Sequence, residues 1–99
     1  MSTLSDKDKN EITMEVIFAI NQYTDEDVPE ETVYADTAKI KLTKDLGIGP
    51  VLITQLAMPL TKISNRHNGR GVGIYDAQSA KTVQDCIDLV IKSIDGGSN

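Results

Sequence analysis

The fold of this chain is decided by the stretch Asp45-Leu46-Gly47-Ile48-Gly49-Pro50-Val51-Leu52-Ile53-Thr54-Gln55-Leu56-Ala57-Met58-Pro59-Leu60. A tight turn, Gly47-Ile48-Gly49, leads directly into Pro50, which suits the first position of a helix because its missing N–H would be unpaired there in any case. The residues that follow predict a helix with an imperfect apolar stripe, formed by Val51, Leu52, Gln55, Leu56 and Met58. Because Ile53 and Ala57 make this central helix apolar nearly all round, we expect it to be mostly buried or to dock on a partner.

Length and composition indicate one small acidic domain. The chain has 99 residues, no Trp and only four aromatic residues, so a single core built from aliphatic side chains is expected. Its net charge is −5, from 15 acidic and 10 basic residues. This balance disfavours nucleic acid and anionic membranes as partners and favours basic protein surfaces.

The single cysteine, Cys86, excludes an intramolecular disulfide and a Cys-based zinc site. The first residues, Met1 to Asp6, lack the basic and apolar regions of a signal peptide. The longest uncharged run, Leu46 to Thr61, is too short for a membrane span and contains two prolines. We therefore expect a cytoplasmic protein without a membrane span.

Amphipathic helices are predicted at both ends of the chain. Ser5 is a helix N-cap followed by acidic residues, and the first helix is expected to end between Gln22 and Thr24. Its apolar face consists of Ile12, Val16, Ile17, Ile20 and Tyr23. The last helix is capped by Thr82 and Asp85, and Gly96-Gly97 is expected to stop it. Its buried stripe consists of Val83, Cys86, Ile87, Val90 and Ile94.

The connecting segments leave alternatives open. The acidic run Thr24–Glu31 is interpreted as a solvated loop, with divalent-cation binding as the alternative. Thr32–Lys44 is interpreted as a loop with one helical turn, which delivers Leu46 and Ile48 as apolar plugs. If Ala38–Thr43 and Val72–Tyr75 instead pair as strands, the fold is α+β.

A second group of expectations concerns the region after the central helix. Pro59 is expected to kink or end that helix. Ser64–Gly73 is interpreted as a mobile surface loop, with a phosphate cradle using Arg66 or Arg70 as the alternative. His67 has no metal-ligand spacing and is expected to be exposed. A short helical connector is expected over 74–80.

Two motifs in this order resemble the acyl carrier protein family, and the resemblance covers about residues 11–94. In that family Asp-Leu-Gly-x-Asp-Ser-Leu precedes the second helix, and the closing helix begins Thr-Val-x-Asp. Asp45-Leu46-Gly47-Ile48 and Thr82-Val83-Gln84-Asp85 match these two signatures. The resemblance implies an all-α fold, a small four-helix bundle with three main helices and a short connector helix.

The attachment position departs from the family. Gly49 stands where the family has Asp, and Val51 where it has Leu. Pro50 stands where the family has the Ser that carries 4′-phosphopantetheine, and proline has no hydroxyl with which to form the phosphodiester. We therefore expect no phosphopantetheine, and neither Thr43 nor Thr54 occupies the exposed helix start that a modifying transferase needs to reach.

The central helix departs as well, because the family's second helix carries acids that meet basic enzymes, whereas 50–64 contains one charge, Lys62. The expected function is a non-catalytic interaction or regulatory module near fatty-acid or polyketide-type machinery. Its expected partner-binding residues are Ile48, Gly49, Pro50, Val51, Leu52 and Gln55. The alternative is a working acyl carrier that uses an unorthodox attachment or binds an acyl chain non-covalently. Enzymatic activity is not expected, because local spacing assembles neither a general base with a nucleophile nor a metal site.

Overall fold

The computed structural model describes residues 4–95, which form five α-helices and one short 3₁₀ helix. In chain order these are α1 (Asp6–Asn21), the 3₁₀ helix η1 (Tyr34–Lys39), α2 (Pro50–Gln55), α3 (Ala57–Arg66), α4 (Ile74–Gln78) and α5 (Val83–Asp95). This part of the chain contains no strand, so the all-α class is confirmed and the α+β alternative is wrong. Its one isolated bridge joins Lys41 to Thr82, not to the segment that the alternative paired with it.

Helix α1 has the expected N-terminus and apolar face. The Ser5 hydroxyl accepts from the Asp8 N–H at 3.1 Å, and the Asp8 carboxylate accepts from the Ser5 N–H at 3.5 Å. This reciprocal pair satisfies backbone donors that the first turn of a helix leaves free. The buried residues of α1 are Ile12, Thr13, Val16, Ile17 and Ile20. This face packs against α3 and α5.

The central helix is divided into α2 and α3, and Pro59 accounts for the break. Proline has no N–H to donate to the carbonyl four residues earlier, Gln55, and its ring clashes with that carbonyl. The chain leaves the helix at Leu56, whose N–H is shared between the carbonyls of Leu52 and Ile53 at 3.0 and 3.1 Å. Pro59 itself lies in the first turn of α3, where its missing donor is tolerated. The central helix is therefore interrupted at Leu56, three residues before the proline.

The end of α3 closes with a left-handed residue. Asn68 has φ of 65°, and its N–H donates to the Asn65 carbonyl at 3.1 Å. The Gly69 N–H donates to the Ser64 carbonyl at 2.8 Å. These two bonds form a Schellman motif, which satisfies carbonyls at the end of the helix and turns the chain back along α3.

Helix α5 confirms the predicted cap and stripe. Asp85 accepts from the N–H groups of Lys81 and Thr82 at 2.8 and 3.1 Å, and the Thr82 hydroxyl accepts from the Asp85 N–H at 3.0 Å. Val83, Cys86, Ile87 and Val90 are buried, whereas Ile94 is half-buried. The predicted stop at Gly96-Gly97 lies outside the described residues.

The core is aliphatic, as the composition predicts. It contains no aromatic side chain among the described residues, and Tyr23 and Tyr34 pack against it from its edge. Every buried side-chain nitrogen and oxygen in residues 4–95 has a hydrogen-bond partner. None of the helices in this range is long and apolar enough to span a bilayer.

Candidate docking surface

Two hydrogen bonds and two buried side chains hold the turn before α2. The Asp45 carboxylate accepts from the Lys41 N–H at 2.8 Å, and the Thr24 hydroxyl donates to the Leu46 carbonyl at 2.6 Å. Gly47 has φ of 67°, a left-handed conformation that favours glycine. Leu46 and Ile48 are buried as the predicted plugs, at 7% and 0% exposure. The turn therefore fixes where α2 begins.

Pro50 occupies the first position of α2 and is exposed. It therefore lies at the open helix start that the resemblance assigns to the phosphopantetheine serine, and it offers no hydroxyl there. The nearby hydroxyls are engaged as donors: Thr54 donates to the Pro50 carbonyl at 3.0 Å and Thr43 donates to the Ile48 carbonyl at 2.8 Å. Esterification of either oxygen would remove the proton that makes its hydrogen bond.

The predicted partner-binding residues divide into an exposed and a buried group. Pro50, Val51 and Gln55 are exposed, with Val51 at 71%, whereas Gly49 and Leu52 are half-buried. Ile48 is fully buried, so its assignment as a partner-binding residue is wrong: it fills the core beneath the turn. The predicted apolar stripe of the central helix is wrong at Val51, Gln55 and Met58, which are exposed, whereas Leu56 is buried and Leu52 packs against the core. The buried positions of α2 and α3 are Ile53, Leu56, Ala57, Leu60, Ile63 and Ser64, so Val51 and Met58 are left in solvent.

An apolar groove lies between α3 and α4. It is open to solvent and has a volume of about 420 Å³. Its lining residues are Ala57, Met58, Thr61, Lys62, Val72 and Ile74. Met58 is 70% exposed and Ile74 60% exposed, and the neighbouring Tyr75 is 85% exposed. We call the exposed side chains of Pro50, Val51, Gln55, Met58, Lys62, Ile74 and Tyr75, together with this groove, the α2–α4 surface.

The side of the groove opposite α3, formed by Val72 and Ile74, belongs to a segment that is hydrogen-bonded to α3 and α5. The Thr61 hydroxyl donates to the Val72 carbonyl at 3.1 Å and accepts from the Val72 N–H at 2.9 Å. The Ser64 hydroxyl lies 2.5 Å from the Ser93 hydroxyl and accepts from the Gly71 N–H at 3.2 Å. The Arg70 N–H donates to the Ser93 carbonyl of α5 at 3.3 Å. The segment after α3 is thus fixed to two helices rather than free at the surface, and the amides of Gly69 and Gly71 are not available to a phosphate.

The basic residues at the end of α3 contact α1. Arg66 Nε donates to Glu15 Oε1 at 3.0 Å, and His67 Nε2 lies 2.6 Å from Glu15 Oε2. The His67 side chain is 22% exposed, so the expectation of an exposed loop residue is wrong. Glu15 lies 52 positions earlier in the chain, a separation that local spacing rules do not reach. Arg66 is therefore engaged, which disfavours its role in a phosphate cradle.

The acidic loop after α1 is anchored by its polar and apolar residues. The Asn21 side chain donates to the Val28 carbonyl at 3.0 Å and accepts from the Val28 N–H at 2.9 Å. Val28 is buried, while the acidic side chains of this loop are exposed. Within residues 4–95 no group of three or more His, Cys, Asp or Glu residues is placed to hold a metal ion.

Comparison of the chain with protein-family models, with curated proteins and with solved structures gives no match. The candidate site therefore depends on the chemistry of its own residues. Sequence reasoning missed Met58, Lys62, Ile74 and Tyr75 as parts of one surface. Two signals were available in the sequence. Residues 50–60 contain more apolar positions than one buried helix face can hold, and the short connector helix begins with an isoleucine and a tyrosine.

Proposed function

We propose that this chain is an acyl-carrier-like domain without a prosthetic group, which acts as a non-catalytic protein-interaction or regulatory module near fatty-acid or polyketide-type machinery. The observation that carries the proposal is the exposed Pro50 at the start of α2, beside apolar side chains that no element of the described chain covers. The two sequence signatures supply the family likeness.

The apolar side chains of the α2–α4 surface support a contact function. Val51, Met58, Ile74 and Tyr75 come from three consecutive helices, and each is at least 60% exposed. Clustered exposure of large apolar side chains beside an open groove is typical of protein interfaces. A partner that covers them gains by removing apolar area from water, at roughly 25 cal/mol per Å² before the costs of association.

Covalent loading is the first test. The protein is incubated with coenzyme A and a promiscuous phosphopantetheinyl transferase, and its intact mass is measured. The wild type is expected to keep its mass, because Pro50 offers no hydroxyl. The Pro50→Ser variant is the matched control, since it places a hydroxyl at the exposed helix start. A mass gain of one arm on the wild type would overturn the proposal.

Partner capture is the second test. Proteins captured from native cell extract by the wild type are compared with those captured by Val51→Glu and Met58→Glu. Both side chains are mostly exposed, so these variants are expected to fold and to lose the specific partners. Met14→Glu is the control, because Met14 is 54% exposed on α1, outside the α2–α4 surface. Equal capture by all four proteins would exclude the α2–α4 surface as the contact.

A further inference from the structure

The acidic residues of this chain are absent from the segment that builds most of the α2–α4 surface. All 15 lie outside residues 46–75, whereas Lys62, Arg66 and Arg70 lie within it. The chain as a whole has a net charge of −5, so this segment is a basic region on an acidic protein. Of these three basic residues, Lys62 is the one that belongs to the α2–α4 surface.

Lys62 is the charged side chain that lines the groove. It is exposed and forms no ion pair with any residue in 4–95. Arg66, one turn further along α3, differs because Glu15 already neutralises it. The nearest acidic residue in the sequence, Asp76, lines a different cleft, between α4 and α5. A wholly apolar partner would leave the Lys62 ammonium poorly solvated beside the contact, which is costly without a counter-charge.

We propose that the α2–α4 surface binds an acidic amphipathic segment of a partner protein, with an apolar side chain in the groove between Met58 and Ile74 and a carboxylate paired with Lys62. This inference rests on the proposed function and specifies its partner. It also reverses the polarity that the family resemblance implies, since the family presents acids on its second helix to basic enzymes.

The shape of the surface favours a protein segment over a single acyl chain. The groove is open, and Val51 and Tyr75, which are 71% and 85% exposed, do not line it. An amphipathic helix presents both apolar side chains for the groove and carboxylates for Lys62, whereas an acyl chain supplies apolar contact alone along its length.

The test uses two synthetic amphipathic helical peptides that share a length and an apolar face, with Glu on the polar face of one and Lys on that of the other. Binding is mapped by amide NMR on the whole protein. The Glu peptide is expected to shift the amides of 57–62 and 72–74, with affinity that falls as salt is added. Lys62→Glu is expected to weaken it at least about 5-fold through like-charge contact, and Lys62→Arg to retain it.

Lys7→Glu is the control for net charge, because Lys7 is exposed on α1, outside the α2–α4 surface, and should leave the affinity nearly unchanged. If the Lys peptide binds this surface as tightly as the Glu peptide, the polarity inference is wrong and the docking proposal stands. If neither peptide shifts these amides, both fall. If sodium laurate shifts them and the Glu peptide does not, the groove is an acyl-chain site and the inference is overturned.

Discussion

Gly69→Ala is expected to destabilise the protein and to distort one wall of the groove. Gly69 has no positive φ, so its backbone conformation does not demand glycine. The space around Gly69, however, leaves no room for a side chain. A Cβ there would overlap Ser64 Oγ and lie 2.9 Å from Ile94 Cγ1 and 3.1 Å from the Ser64 carbonyl oxygen. The Ser64 hydroxyl cannot rotate away freely, because Ser93 and the Gly71 N–H hold it.

The magnitude follows from these contacts. Inserting a methyl group into a filled site costs about 1–3 kcal/mol, and we expect the upper half of this range because a backbone carbonyl is among the close neighbours. Ser64→Ala alone is expected to cost about 1–2 kcal/mol, since it removes two hydrogen-bond contacts of a fully buried hydroxyl. The double variant should lose less than the sum, by about 1 kcal/mol or more, because deletion of the hydroxyl removes the closest overlap.

Urea unfolding of the wild type, Gly69→Ala, Ser64→Ala and the double variant measures the four free energies of this cycle. Equal dependence of the unfolding free energy on urea concentration is the criterion for comparing them. Gly49→Ala is the control glycine variant. No atom lies within 4 Å of its added Cβ, so it should cost less than about 1 kcal/mol, through its N-cap position.

Two results would refute this account of Gly69. One is a Gly69→Ala protein as stable as the wild type, which would mean that the segment does not pack on Ser64 and Ile94. The other is strict additivity with Ser64→Ala, which would mean that the alanine methyl and the hydroxyl do not meet.

Three further outcomes are expected. Burial, reinforced by the charge of Asp85, raises the pKa of the Cys86 thiol to about 12. The native protein should therefore resist thiol reagents near pH 8 and react with them once it is unfolded. Rapid labelling of the native protein would contradict this expectation. Burial and the hydrogen bond to Asp88 raise the pKa of Tyr34 from 10.0 to about 12. The folding free energy that this shift contributes is therefore fully present below pH 10 and is lost as the pH rises through 12. Wild type should therefore lose more stability than Tyr34→Phe over that interval in urea titrations, and parallel profiles would exclude the linkage. Asp85→Ala removes the acceptor of two N–H groups at the start of α5. It should lower the free energy of unfolding by about 1–2 kcal/mol in the same urea assay. An unchanged unfolding midpoint would contradict this expectation.

The helices at both ends of the chain were predictable because their signals are local. A cap and the residue three positions later lie within one turn, as Ser5 with Asp8 and Thr82 with Asp85 show. Periodic burial repeats from Ile12 to Ile20 in α1 and from Val83 to Val90 in α5. The aliphatic core and the plug formed by Leu46 and Ile48 follow from similar short-range patterns.

The central region was less predictable because two opposite faces of it are apolar. When Val51 and Met58 are as hydrophobic as Ile53 and Leu60, periodicity alone does not say which set enters the core. Packing of α3 against α1 and α5, and of α2 against α4, decides which set is buried, and most of these contacts are distant in sequence. The contacts of Glu15 with Arg66 and His67 depend on the same long-range geometry, so local spacing wrongly predicted that His67 is exposed.

The turn before α2 keeps a role even though its helix start has no attachment chemistry. A helix as short as α2, with six residues, is not stable by itself in water, so its order comes from the turn and from packing against α4. The bonds of Asp45 and Thr24 hold that turn, and the ring of Pro50 fixes the first backbone angle of the helix. Side chains held in place before binding lose less conformational freedom when a partner arrives. A rigid helix start that carries Val51 into solvent is thus useful for docking without any prosthetic group.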